Sequence, residues 1–105
     1  MIDISSRENI VIRDKNIVVI GLGKSGLEVS KLANHFGARV FASDIGSTKM
    51  INSNAFELMS FYHIACETGI HSSKIYEADI WIISPGIAKD TKIIIKAQKL
   101  GIPIV

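Results

Sequence analysis

The sequence predicts an α/β domain on a doubly wound parallel sheet, with strand order 3-2-1-4-5. Two observations predict it. NIVVI at Asn16–Ile20 and DIWII at Asp79–Ile83 are short, continuous apolar runs of the kind that forms strands buried on both faces. Between them the hydrophobic period turns helical and back again, so strands alternate with helices, as right-handed crossovers in a parallel sheet require. The 105 residues suffice for one core, and a composition 48% hydrophobic and 21% charged is that of an ordinary folded domain.

The elements follow in order. Residues 1–14 are read as an arm or an extra edge element, and residues 15–105 as the domain itself. After the first strand, a helix begins near Ser25, with Leu27, Leu32, Ala33 and Phe36 as its apolar stripe and Gly37 as its stop. Arg39–Ser43 is the second strand, closed by Asp44. Gly46–Asn54 is polar and reads as loop, followed by a short helix over Ala55–Ser60 and a third strand over Tyr62–Cys66. Ser72–Glu77 is a helical turn. The fourth strand ends in Ser84-Pro85-Gly86, and Asp90 or Thr91 caps a helix that runs to Leu100 and stops at Gly101. Ile102–Val105 opens a fifth strand, and a chain that stops there is expected to be a domain excised from a longer protein.

Composition also excludes functions. A formal charge of +2, with scattered lysines and no basic stripe interleaved with aromatics, argues against nucleic acid as a partner. No apolar run is long enough to cross a bilayer, and no secretory leader is recognisable, so no membrane partner and a cytoplasmic location are expected. Cys66 is the only cysteine, and His35, His63 and His71 lack metal-ligand spacing, so no metal site is expected. Cys66 and Trp81 read as packing residues. Ile93, Ile94 and Ile95 read as a helix face against the sheet, and Lys89, Lys92, Lys96 and Lys99 as a solvated face.

The chemistry gathers at VVIGLGKSG, Val18–Gly26. Gly21, Gly23 and Gly26 satisfy G-x-G-x-x-G directly after a strand and at a helix start, the signature of a Rossmann-like nucleotide turn. In that geometry the first glycine permits the turn, the second lets a phosphate approach bare backbone, and the third lets helix and sheet pack closely. The N–H groups of Lys24, Ser25 and Gly26 would face the ligand at the positive end of the helix. A kinase-type P-loop fails on spacing, because the glycine it needs five positions before Gly23 falls on Val18. Asp44 ends the second strand, where its carboxylate could take a hydrogen bond from a ribose hydroxyl or a base N–H, or merely cap the next turn. Ser84-Pro85-Gly86 follows the fourth strand, so in the predicted strand order it lies across the crevice from the glycine turn. These residues leave open a NAD(P)-binding module of a dehydrogenase or redox sensor, a site for another nucleotide, and a nucleotide-free interaction domain.

VVIGLGKSG, the strand-end Asp44, ADIWIISPGIAKD at Ala78–Asp90 and the closing GIPIV together resemble the N-terminal domain of the MurD family, the UDP-N-acetylmuramoyl-L-alanine:D-glutamate ligases of peptidoglycan synthesis. The resemblance covers nearly the whole chain. It implies a UDP site on the turn Gly21, Leu22, Gly23, Lys24, Ser25 and Gly26, where backbone around Gly23, Lys24 and Ser25 holds the diphosphate. Asp44 and Ile45 would address the uracil, and Ser84, Pro85 and Gly86 would line the nucleotide-sugar side. Familiar members follow the acid with a hydroxyl and a basic residue. Ile45 and Gly46 stand there here, leaving backbone groups and Asp44 to meet the base. The resemblance further implies that ATP and Mg²⁺ act in the parent enzyme on a central ATPase domain beyond Val105, with no catalytic residue and no cofactor in this fragment. Its partners would be UDP-N-acetylmuramoyl-L-alanine, through the UDP, and that central domain.

Overall fold

The computed structural model describes residues 12–87 and 91–105; the residues expected to form the arm, up to 11, and Asp90 and Lys89 lie outside them. The elements run β1 (Asn16–Ile20), α1 (Lys24–His35), β2 (Arg39–Asp44), α2 (Lys49–Tyr62), β3 (Ala65–Thr68), a 3₁₀ turn (Ser73–Tyr76), β4 (Ile80–Ile83) and α3 (Lys92–Lys99). The sheet is parallel throughout, in the order β3-β2-β1-β4, so β1 is central and the strand order reverses beside it. The expected fifth strand is a stub beside β4. Trp81 and Ile104 form one parallel bridge, with Trp81 N–H donating to Pro103 O (2.8 Å) and Val105 N–H to Trp81 O (2.9 Å).

β1 is apolar on both faces because each face supports its own core. Ile17 and Val19 join Val29, Ala33, Ala55 and Leu58 on one side. Val18 and Ile20 join Ile75, Trp81, Ile94 and Ala97 on the other. Alternation along a strand sends neighbours to opposite faces, so the four residues Ile17–Ile20 serve both layers. Trp81 is fully buried as expected, and its indole N–H donates to Ile75 O (2.6 Å). Ile12 also packs into the first core, followed by a turn in which Asp14 N–H donates to Gly37 O (2.9 Å).

Four expectations about elements need correction. The buried stripe of α1 is Gly26, Val29, Ser30 and Ala33; Leu32 and Phe36 are each 38% exposed, and Leu27 packs only at the margin. Gly26 must face the turn beneath it, which fixes the rotation of the helix and sends the larger side chains outward. The expected loop over Gly46–Asn54 is mostly helix, because α2 begins at Lys49. Thr48 caps it, its hydroxyl accepting from Ile51 N–H (3.2 Å), and Ile51, Ala55 and Leu58 meet the core at helical spacing. The third strand begins at Ala65 rather than Tyr62. Tyr62 ends α2, and His63, expected within the strand, adopts a left-handed conformation (φ 55°) that terminates the helix. Of the three isoleucines in α3, Ile94 is buried and Ile93 partly so, while Ile95 is 42% exposed.

Candidate functional site

The turn after β1 and the segment after β4 meet over one cavity of about 580 Å³ at the C-terminal edge of the sheet. Gly21, Gly23, Lys24, Ser25, Asp44, Ile45 and Ser84 line it, so seven of the expected site residues share one space. Ligands of open α/β sheets bind at such a reversal of strand order.

Each glycine of the turn is there for a different reason. Gly21 has φ +106°, and a Cβ there would sit 2.5 Å from Ser84 Oγ. A Cβ on Gly26 would fall on the carbonyl oxygen of Gly21, so helix and turn touch only because that side chain is missing. Gly23 differs: its backbone is ordinary extended chain (φ −72°, ψ −167°), and a Cβ would meet nothing within 4 Å. The fold makes no demand for glycine at 23, and the space it leaves open belongs to the cavity.

Gly23 is also the N-cap of α1 and brings no side chain to the helix start. The first N–H groups of a helix lack intrahelical acceptors, so this end presents donors and a partial positive charge to the cavity. Lys24 adds an exposed cation. Lys92, read from sequence as part of a solvated face, stands with Thr91 and Ile93 on the opposite wall at the start of α3. Helix starts and two ammonium groups thus make one region of the cavity attractive to an anion.

Leu22, between the glycines, points its side chain into the core, where it is fully buried. Its N–H donates to Asp44 Oδ2 (2.7 Å), and its carbonyl accepts from Asn54 Nδ2 (2.8 Å). Asp44 Oδ1 accepts from Gly46 N–H (2.7 Å). The carboxylate therefore ties the β1 turn to the β2 turn while lining the cavity, which combines turn capping with a place at the site. Asn54 escaped the sequence reading because it falls in the stretch taken for loop; its signal is a polar residue within the core-facing spacing of α2.

On the β4 side the expected residues separate. Ser84 lines the cavity, and its hydroxyl is buried without a hydrogen-bonding partner. Pro85 is exposed and borders a neighbouring hollow with Ile104 and Val105, while Gly86 is exposed and lines neither. The bend at Pro85 carries both residues away from the glycine turn.

His71, dismissed from the sequence, belongs to the same cavity. It stands beside Ser43 and Glu67 at the end of β2 and β3, with Ser43 Oγ 2.7 Å from both Glu67 Oε2 and His71 Nδ1. Burial holds the imidazole below its usual range, although Asp44 and Glu67 favour its charged form. Burial alone would raise Glu67, but hydrogen bonds from Ser72 and Ser43 and the nearby His71 bring it below the usual carboxylate range. Cys66 is half-buried, and desolvation pushes its thiol up to about 11, in keeping with a packing role. Among the described residues no three His, Cys, Asp or Glu side chains gather to hold a metal ion, and no helix is long and apolar enough to cross a membrane.

Fold and cavity define a Rossmann-like α/β domain with a cavity at the strand-order reversal. Two solved structures share that fold: the A chain of dipicolinate synthase from Bacillus subtilis (TM-score 0.68, 13% identity, covering 94% of this chain and 39% of that one) and L-tryptophan dehydrogenase from Nostoc punctiforme (TM-score 0.62, 18% identity, 90% and 27%). The family is narrower. Residues 15–105 match the family described as Mur ligase MurD-like, N-terminal domain, and the chain belongs to it. Relatives named UDP-N-acetylmuramoylalanine–D-glutamate ligase include those of Acidobacterium capsulatum (34% identical over 95 residues, 90% of this chain) and Bacteroides thetaiotaomicron (37% over 92 residues, 87%). The chain spans about a fifth of their length, 20% in each case.

Proposed function

We propose that this chain is the uridine-diphosphate-binding domain of a cytoplasmic ligase that adds D-glutamate to UDP-N-acetylmuramoyl-L-alanine, and that it binds that substrate through the diphosphate and base. Family membership supports the parent activity, and Gly23 is the observation that carries the binding site. A glycine that the backbone conformation and the packing both leave unexplained, at an uncapped helix start and on a cavity, is accounted for by a phosphate resting against it. On this reading the diphosphate lies along Gly23, Lys24 and Ser25, with Lys24 and Lys92 as counter-charges. The carboxylate of Asp44 repels phosphate from its own end of the cavity and leaves that end to the nucleoside.

The Gly23-Lys24-Ser25 turn is too short to wrap a triphosphate, and no metal-ligating cluster is gathered among the described residues. We assign the chemistry of ATP and Mg²⁺ to the rest of the parent chain, and binding alone to this part.

Thermal unfolding with UDP, UDP-N-acetylmuramoyl-L-alanine and NADH tests the reading. A ligand at a hundred times its dissociation constant stabilises by about 2.7 kcal/mol, an easily measured shift. Both uridine compounds are expected to stabilise the chain, and NADH to leave it unchanged. Gly23→Val should remove the uridine response, at least tenfold in Kd, while changing stability by less than about 1 kcal/mol, because its side chain enters open space. Stabilisation by NADH alone, or full uridine binding by Gly23→Val, would overturn it.

A further inference from the structure

We infer that His71 is a specificity-determining residue of this cavity, presenting its Nε2 as a fixed acceptor to an N–H or O–H donor of the bound nucleoside. The inference rests on the nucleotide reading above and adds a residue to it.

The argument begins at Ser43, which is fully buried at the end of β2. Its hydroxyl has one proton and three close neighbours: Glu67 Oε2 at 2.7 Å, Ile70 O at 3.2 Å and His71 Nδ1 at 2.7 Å. An ionised carboxylate and a carbonyl can only accept. Ser43 must therefore give its proton to one of them, the carboxylate being nearer. A bare Nδ1 would then be one acceptor too many, its lone pair facing that of the hydroxyl oxygen. The cluster is satisfied only if Nδ1 carries a proton and donates it to Ser43. In the neutral ring that choice leaves Nε2 without a proton.

Glu67 is itself held in place, since Ser72 N–H donates to the same Oε2 (2.8 Å). The order Glu67, Ser43, His71 thus fixes both ring orientation and tautomer, as hydrogen-bonded partners fix histidines at other binding sites. Nδ1 is turned to buried Ser43, so the edge of the ring left to the cavity carries Nε2. Burial keeps the imidazole neutral near pH 7, when that nitrogen can accept.

His71 shares the cavity with Asp44, whose nearby carboxylate favours the charged form of the ring, and on the nucleotide reading both face the nucleoside. A neutral acceptor there rewards a ligand hydrogen that points toward it. Two groups of a uridine nucleotide can supply one: N3–H of the base and a hydroxyl of the ribose. A base bearing a bare N3, as in cytidine nucleotides, would set two acceptors against each other.

The test measures binding of UDP, CDP, N3-methyl-UDP and 2′-deoxy-UDP to the 105-residue chain and to His71→Phe by titration calorimetry. His71→Phe should lose about five- to tenfold in UDP affinity, the size of one neutral hydrogen bond. One analogue should show the same loss on the unaltered chain and no further loss on His71→Phe; N3-methyl-UDP would identify the base, and 2′-deoxy-UDP the ribose. Nitrogen-15 NMR of the unaltered chain should show Nδ1 protonated and Nε2 bare. Equal UDP binding by His71→Phe overturns the inference and leaves the nucleotide site standing, as does the opposite tautomer. Failure of the unaltered chain to bind any uridine nucleotide overturns both.

Discussion

Two corners of the cavity are built on opposite plans. The glycine turn, Gly21–Gly26, works by leaving side chains out: its groups are backbone N–H donors, and two of its glycines exist so that elements can touch. The polar corner of Ser43, Asp44, Glu67 and His71 works by side chains that hold one another and the neighbouring turns. The first corner is tight where Gly21 and Gly26 leave no room for a side chain, and the second is held by hydrogen bonds that converge on Ser43, Asp44 and Glu67. A substitution should therefore fail sterically in one corner and electrostatically in the other.

The largest expected effect is at Gly26. A methyl group placed on the Gly21 carbonyl oxygen cannot be relieved by a rotamer change, because the obstacle is backbone. Gly26→Ala should cost about 3 kcal/mol or more, or prevent folding, measured by urea denaturation. Set beside the small effect expected of Gly23→Val, it separates the glycine the fold needs from the glycine assigned to the proposed ligand. If both substitutions destabilised alike, the division of labour within the turn would be wrong.

Next comes Asp44→Ala, which removes the acceptor shared by Leu22 N–H and Gly46 N–H. Leaving two partly buried donors unpaired should cost about 2 kcal/mol in the same measurement. It should also loosen the glycine turn, since Leu22 is the residue tied down. A stability unchanged by Asp44→Ala would show that the two corners are independent.

The two corners also differ in how far the sequence discloses them. The glycine turn is legible because its spacing, its preceding strand and its following helix are contiguous, and the constraints act over a few residues. The parallel sheet is legible for the same reason, from NIVVI and DIWII. The polar corner joins Ser43 to residues 24 and 28 positions away, a proximity set by the pairing of β2 with β3. That pairing was itself misplaced, since the third strand was expected over Tyr62–Cys66, so nothing local could bring His71 to Ser43. Asn54 was hidden likewise, behind a helix start whose polar residues imitate loop. Pro85 and Gly86 show the reverse case: a turn signal adjacent in sequence to Ser84 bends away from this cavity within one residue.

The smallest effect sharpens the polar corner through pH. His71 is held below the ordinary 6.5 chiefly by burial, so the unfolded chain takes up its proton before the folded one does. Its contribution to stability is complete above about pH 6.5 and is lost as the pH falls through its folded value. Glu67, held below 4.5 by its hydrogen bonds against the opposing effect of burial, acts in the same direction but only at lower pH. The two steps are therefore separable in a series of urea midpoints taken downward from about pH 8. The unaltered chain should lose stability in the higher window, and His71→Phe should be flat there while keeping the lower decline. The phenyl ring cannot take up a proton, whereas Ser43 and Glu67 can still bond to each other. A decline of equal size in His71→Phe would place the titrating group elsewhere and remove the protonation argument from this corner, leaving the steric one at Gly26 untouched.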